Sequence, residues 1–276
     1  ELNPEKYAET VEHVKKKGST PAGMHLSIMV KEILEFFNIT PGQTGLDATL
    51  GYGGHTQEML KCLDSKGRMY ALDIDPVELP KTKARLEKLG YGSDILTIEQ
   101  LNFSDIDLAI DKPESVDFVL ADLGVSSMQI DNPDRGFSYK TEGPLDLRMD
   151  PETGISAANK LKNLTQLELE GLLIENADEP YAEIISKAII AEIKKGTKIK
   201  TTTQLTEIIT ESLQFLPGDR REKDIKKSCQ RSFQALRIDV NQEYHTLYEF
   251  LEKLPTVLTP GGKVAILSFH SGEDRL

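Results

Sequence analysis

The chain has 276 residues, 38% of them hydrophobic, enough to bury a substantial core in one large domain with an insertion or in two domains. Its net charge of −12 excludes a general nucleic-acid coat but leaves room for a local basic patch on an acidic body. Two distant cysteines, Cys62 and Cys229, without C-x-x-C or histidine spacing, point to a reducing compartment, the cytosol by default, and to no zinc or other metal site. No apolar run approaches the roughly 20 residues needed to span a bilayer, and the opening "ELNPEKYAETVEHVKKKGST" is too polar for a signal peptide. The missing initial Met suggests a trimmed chain or a fragment.

The first predicted strand, "TGLDA", runs into "TLGYGGHT", where Gly51, Gly53 and Gly54 fall within four positions ahead of a helix over "TQEMLKCLDSKG", ended by Gly67. Glycine at a strand-to-helix turn allows positive φ and close approach of a ligand to free N–H groups at the helix start. The dinucleotide pattern G-x-G-x-x-G fits only in part, because Thr56 stands where its third glycine belongs. Asp47 could approach a cofactor's amino-acid part or fix the glycine loop through backbone N–H groups. His55 could be a ligand contact or a hydrogen-bonded spacer, while His25 and His270 read as structural.

The second strand, "RMYALD", ends at Asp73, some twenty residues after the glycine turn. There a carboxylate can cap the next helix or accept both hydroxyls of a ribose, and the glycine turn in register favours the second, which points to a nucleoside cofactor. The third and fourth strands are "DILTIE" and "VDFVLADL", and "KVAILSF" is the last. Near-continuous apolar strands separated by helices give an α/β, Rossmann-like doubly wound parallel sheet. Well over a hundred residues separate the fourth and last strands, too many for a loop, and they carry helix signals that predict an inserted α-helical domain. Thr165 with Glu168 forms a capping box, Ile184, Ile185, Ala188 and Ile189 share one predicted face, and Thr203 is placed to cap "QLTEIITESLQFL".

The run "DRREKDIKKSCQR" holds Arg220, Arg221, Lys223, Lys226, Lys227 and Arg231 against three acids, either a solvated face or an RNA contact. Arg237 and Asn241 lie one helical turn apart beyond it; they could jointly face a site or bind the insertion to the core.

Six segments in order, "DATLGYGGHT", "DLGVSSMQID", "RGFSY", "GPLDLRMD", "FQALRIDVNQE" and "SFHSGEDR", resemble the small-subunit ribosomal RNA cytosine-N4 methyltransferases, the MraW/RsmH family. The resemblance spans about Met24 to the end. It implies a class I methyltransferase core over 23–138 and 226–276, an inserted helical RNA-recognition domain over 139–225, and an extension over 1–22. Its implied cofactor is S-adenosyl-L-methionine, contacted by Asp47, Gly53, Gly54, His55, Asp73, Phe103, Asp122 and Gln129. Without the family, Phe103 reads equally as a core aromatic and Gln129 as a solvent-facing loop residue.

Asp122, where amine methyltransferases carry an Asp or Asn, is the candidate catalytic residue, positioned to accept the amine N–H; Phe137 and Tyr139 could stack a flipped base. RNA contacts are assigned to Arg220, Arg221, Lys226, Lys227, Arg237 and Asn241. The implied partner is small-subunit ribosomal RNA in an assembled or nearly assembled subunit, in the cytoplasm, away from membranes, with a homodimer allowed. The chain departs from the family at "SCQRS", where His-Pro-Ala-Thr-Arg is usual, at "ENADEPYAEII", where Gly-Glu-Glu is usual, and at Gly272, where Leu is expected; it also stops where relatives continue. These departures keep open a paralogue acting on another nucleic-acid amine, or an RNA-docking protein without turnover. A nicotinamide oxidoreductase is disfavoured by Thr56.

Overall fold

A computed structural model describes residues 27–276; the expected extension over 1–22 and His25 lie outside the described residues. The chain divides into two compact units, one over Glu1–Leu123 with Phe250–Leu267 and one over Gly124–Glu249 with Ser268–Leu276. The boundaries expected at 138/139 and 225/226 lie inside the second unit.

The first unit holds helix α1 (Val30–Phe37), strand β1 (Thr44–Asp47), α2 (Gly54–Leu63), β2 (Arg68–Asp73), α3 (Leu79–Lys88), β3 (Leu96–Gln100), β4 (Val116–Asp122) and, after the insertion, β5 (Leu258–Leu267). All strands pair in parallel, in the order β3-β2-β1-β4-β5. All five expected strands are present. Because β1 is flanked by β2 on one side and β4 on the other, the chain reverses direction of winding there, and the cleft between the carboxyl ends of β1 and β4 is where an open sheet binds ligands. Met59, Leu60 and Leu63 of α2, Leu86 of α3, Met69 and Ala71 of β2, and Phe118 and Leu120 of β4 form one buried cluster. Each fully buried large side chain there contributes about 1.5–3 kcal/mol. The α2 helix ends earlier than its sequence suggests: it stops at Leu63, with Asp64 left-handed at φ 50°, and not at Gly67.

The second unit carries α4 (Ser127–Asp131), α5 (Ala157–Leu161), α6 (Gln166–Ala177), α7 (Ala182–Lys194), α8 (Thr202–Ser212) and the 24-residue α9 (Gly218–Asn241). It also holds the first part of α10 (Glu243–Val257) and the terminal α11 (Ser271–Asp274). Leu169, Leu173, Ile185, Ile189, Leu205, Ile209, Phe233 and Leu236 share its core. The Thr165–Glu168 capping box is present. Two expectations fail locally. The α8 cap is Thr201, whose hydroxyl accepts from Gln204 N while Gln204 returns the bond, so Thr203 sits inside the helix. On α7, Ile184 is exposed and the buried face is Ala182, Ile185, Ser186, Ile189 and Ile190, one position round from the predicted stripe.

Candidate functional site

The carboxyl ends of β1, β2 and β4 meet the glycine turn in one polar network, all within the sheet unit. Asp47, which is 1% exposed, accepts from Thr49 N at 3.2 Å and from the Thr56 hydroxyl at 2.6 Å. Thr56 in place of a third glycine therefore has a structural cause: it supplies the hydroxyl that satisfies a buried strand-end carboxylate. Burial raises the Asp47 pKa, and the Thr56 bond works against that rise. Asp73 accepts from Gly51 N at 2.8 Å and from Asp75 N at 2.9 Å, tying the turn to the end of β2. Burial pushes its pKa up to about 6 despite those two N–H bonds.

Gly51 has φ +50°, and a Cβ there would meet only Thr49 O at 3.9 Å, so this face of the turn is open to a ligand. Gly53, at φ +75°, is the N-cap of α2, whose first residue is Gly54. His55 holds its Nε2 at 2.8 Å from the Ile28 carbonyl; that carbonyl can only accept, so Nε2 carries the proton. Its Nδ1 then lies 3.7 Å from Asp122 Oδ2. The Asp122 backbone N–H donates to Thr49 Oγ1 at 2.6 Å, which locks the end of β4 to the turn.

The structure thus gathers Asp47, Gly53, Gly54, His55, Asp73 and Asp122 within one loop's reach. Phe103 begins a 3-10 turn after β3 and packs edge-on to Phe250 at 5.4 Å, as a half-buried aromatic. Gln129 belongs to the second unit and is buried, not solvent-facing; its side chain accepts from Ser126 N at 2.8 Å, closing the capping box of α4. Sequence gives neither Thr49 nor Thr56 a role in the site, although a hydroxyl replacing a fingerprint glycine is a signal that could find the second.

All six expected RNA-contact residues lie on α9. Lys226 and Lys227 are exposed, as is Arg220, whose side chain is 79% accessible. Arg221 and Lys226 line a cleft of about 420 Å³ with Tyr139, Thr206, Thr210 and Cys229. Arg237 instead makes a bidentate pair with Glu243, at 2.7 and 2.9 Å. Asn241 donates to Leu147 O at 2.8 Å and accepts from Met149 N at 2.7 Å, pinning the "GPLDLRMD" segment. Both side chains are committed within the second unit. Phe137 is buried in its core and Tyr139 packs against Phe233 at 6.1 Å.

Glu243, His270 and Glu273 bring potential ligand atoms within 4.8 Å of one another. Both Glu243 oxygens are taken by Arg237, and His270 Nε2 is 3.1 Å from Glu273 Oε1, so the cluster reads as an ion-pair network.

Residues 22–276 match the profile of the MraW methylase family. The chain belongs to that family. It is 66% identical over its whole length to "Ribosomal RNA small subunit methyltransferase H 1" of Lachnoclostridium phytofermentans, spanning 75% of that protein. It is 68% identical, again over its whole length, to "Ribosomal RNA small subunit methyltransferase H 2" of Alkaliphilus metalliredigens, spanning 79% of it. A crystal structure of a putative rRNA-methylase from Clostridium thermocellum is similar at a TM-score of 0.32 and 20% identity, covering 44% of this chain and 69% of that one. This family member is an S-adenosylmethionine-dependent methyltransferase.

Two of the three departures from the family pattern meet each other inside the second unit, and the third is packed against a tyrosine of the same unit. Ser228 of "SCQRS" donates its hydroxyl to Glu179 of "ENADEPYAEII" at 2.8 Å, with both residues buried. At Gly272, an added Cβ would overlap the Tyr244 hydroxyl, so the tyrosine occupies the space a larger residue needs. Each departure is accommodated by a local partner within this unit, and none is at the glycine turn.

Proposed function

We propose that this methyltransferase acts on the exocyclic N4 amine of a cytidine in small-subunit ribosomal RNA. The observation that carries the reading is the network of Asp47, Thr56, Asp73, His55 and Asp122 around a glycine turn whose open face is at Gly51. The donor set fits the cofactor. Asp73 retains lone pairs for ribose hydroxyls beyond its two backbone bonds, and the turn offers main-chain approach to the methionine half. When bound, S-adenosylmethionine supplies a methyl group activated by sulfonium.

The protein's own residues then position and desolvate. The amine lone pair is delocalised into the ring, so an acceptor on its N–H helps localise it while nitrogen gains the methyl group and loses a proton. Asp122 is that acceptor: β4 aims it beside the turn, and its N–H bond to Thr49 fixes it there. Asp47 has the supporting role, holding Thr56 and thereby the start of α2.

RNA docking is assigned to the exposed stretch of α9 at Arg220, Lys226 and Lys227 and to the cleft beside Arg221 and Tyr139, which supply cations next to an aromatic on an acidic protein. Arg237 and Asn241 are assigned to holding the second unit together, and that unit is assigned to RNA recognition. The setting is the cytoplasm, consistent with two free cysteines and with no described helix long and apolar enough to cross a membrane. The substrate is an assembled or nearly assembled small subunit, and the active unit is compatible with a homodimer.

The departures motivate a second reading, a paralogue acting on another nucleic-acid amine. Nucleoside mass spectrometry of small-subunit RNA from a strain lacking this gene separates the two. Loss of N4-methylcytidine is the expected result; loss of a different mark establishes the paralogue, and an unchanged profile overturns both.

A further inference from the structure

The underside of the glycine turn is built by one face of α3. Thr82, Arg85 and Leu86 are three and four residues apart, so they share that face. The Thr82 hydroxyl donates to the Gly51 carbonyl at 2.7 Å. A Cβ on Gly53 would stand 3.1 Å from Arg85 Nη2, from Leu86 Cδ1 and from Thr82 Cγ2 at once. Gly53 is therefore favoured by a tight floor as well as by its φ of +75°.

Arg85 is the unusual member. Its guanidinium carbon lies 3.9 Å from the centroid of the Tyr52 ring, inside the turn itself. Its Nε and Nη2 are buried and have no hydrogen-bond partner among the described residues. Desolvation dominates at this guanidinium and lowers its pKa, with Tyr52 acting the other way. A half-buried cation without an acidic partner among the described residues is costly unless something compensates, and the π face of Tyr52 is the compensation in view. The stack couples α3 to the turn directly: moving Tyr52 uncovers the cation, and losing the cation frees Tyr52.

We propose that Arg85 is a positioning residue for the methyl-donor cofactor, its stack on Tyr52 clamping the turn Gly51–Gly54 in the shape that receives the ligand. This rests on the reading that the turn holds the cofactor, and it assigns no chemical step to Arg85. The contact is electrostatic and planar, so lysine should replace it only in part.

The test is calorimetric titration of the full chain with S-adenosylmethionine, together with thermal melts, for Arg85→Ala, Arg85→Lys, Tyr52→Ala, the Arg85→Ala/Tyr52→Ala double variant and Asp73→Ala. Arg85→Ala should weaken cofactor binding roughly 3- to 30-fold, with Arg85→Lys between it and the parent. Tyr52→Ala should weaken it similarly, and the double variant should be no weaker than the worse single one, because both remove the same interaction. In steady state the cofactor KM should rise by more than kcat falls. Unchanged affinity in Arg85→Ala, fully additive losses in the double variant, or a lowered melting temperature and kcat without a change in affinity would each overturn the assignment. Lost affinity in Asp73→Ala with none in Arg85→Ala removes this inference alone. Unchanged affinity in Asp73→Ala removes the turn as the cofactor's site.

Discussion

In the sheet unit, Asp47, Asp73, His55 and Asp122 are brought from three strand ends and a helix start into one network, and most of their partners are backbone atoms or hydroxyls of the same turn. In the helical unit, the expected functional side chains are strung along α9, and their fates diverge along its length. Arg220, Lys226 and Lys227 stay in solvent, whereas Arg237 and Asn241, farther along the same helix, are consumed by Glu243 and by the backbone of Leu147 and Met149. A parallel sheet concentrates chemistry because every strand delivers its carboxyl end to one edge. A long helix distributes it, and burial decides residue by residue whether a charge binds a partner or holds the fold. Four experiments test this contrast.

The largest effect is expected at Asp122. Asp122→Asn keeps the size and one acceptor but loses the charge, and single-turnover methyl transfer at saturating cofactor should slow by roughly 10²–10⁴-fold. A normal rate under those conditions would reduce Asp122 to a cofactor contact and leave the sheet unit's network a binding device only.

At Asp73 the expected loss is in affinity. Asp73→Ala should weaken S-adenosylmethionine by roughly 1.5–3 kcal/mol for each charge-assisted bond removed. The pH dependence has a definite sign. Burial raises this carboxyl to about 6, so protonation below that value removes the charge and turns one of the two acceptor oxygens into a donor, and cofactor affinity should fall as pH drops through about 6. For the cofactor-free protein the linkage runs the other way: a raised carboxyl contributes stability that is present below its unfolded value and is lost as pH rises through about 6. Asp73→Asn should flatten both profiles between pH 4 and about 7; calorimetry and thermal melts across that range check this.

Arg237→Ala should behave as a fold mutation. It strands the Glu243 carboxylate, which is 13% exposed, and should cost about 2 kcal/mol, read as a lowered denaturation midpoint. If stability holds while RNA affinity collapses, Arg237 is a recognition residue and the division along α9 is wrong.

The smallest effect on stability is expected at the exposed lysines. Reversing Lys226 and Lys227 together should leave the melting temperature within error, weaken RNA binding, and shallow its salt dependence by about one counterion for every phosphate no longer neutralised. Equal RNA binding across a salt series would take the patch out of recognition.

Much of the sheet unit was legible because its signals are local. Near-continuous apolar strands, three clustered glycines and an aspartate at the end of the second strand are periodicities and spacings that a chain displays before it folds. The Asp47–Thr56 and Arg85–Tyr52 pairs were not legible, since each joins residues whose approach depends on how a turn closes over a helix. On the helical side, Thr201 displaced Thr203 as a cap because Gln204, three residues on, returns the bond. Ile184 turned outward because the phase of α7 is set by Ile185, Ser186 and Ile189 against neighbouring helices, which leaves position 184 on the solvent side. Family spacing placed Arg237 and Asn241 on one helical face, but only packing shows that this face is already occupied.

The crowding at Gly272 makes two distant positions interdependent. With the Tyr244 hydroxyl standing where a Cβ would begin, no side chain fits at position 272 while the tyrosine keeps this place. Introducing Gly272→Leu alone should lower the melting temperature, and the loss should be recovered once Tyr244 has been cut back to alanine.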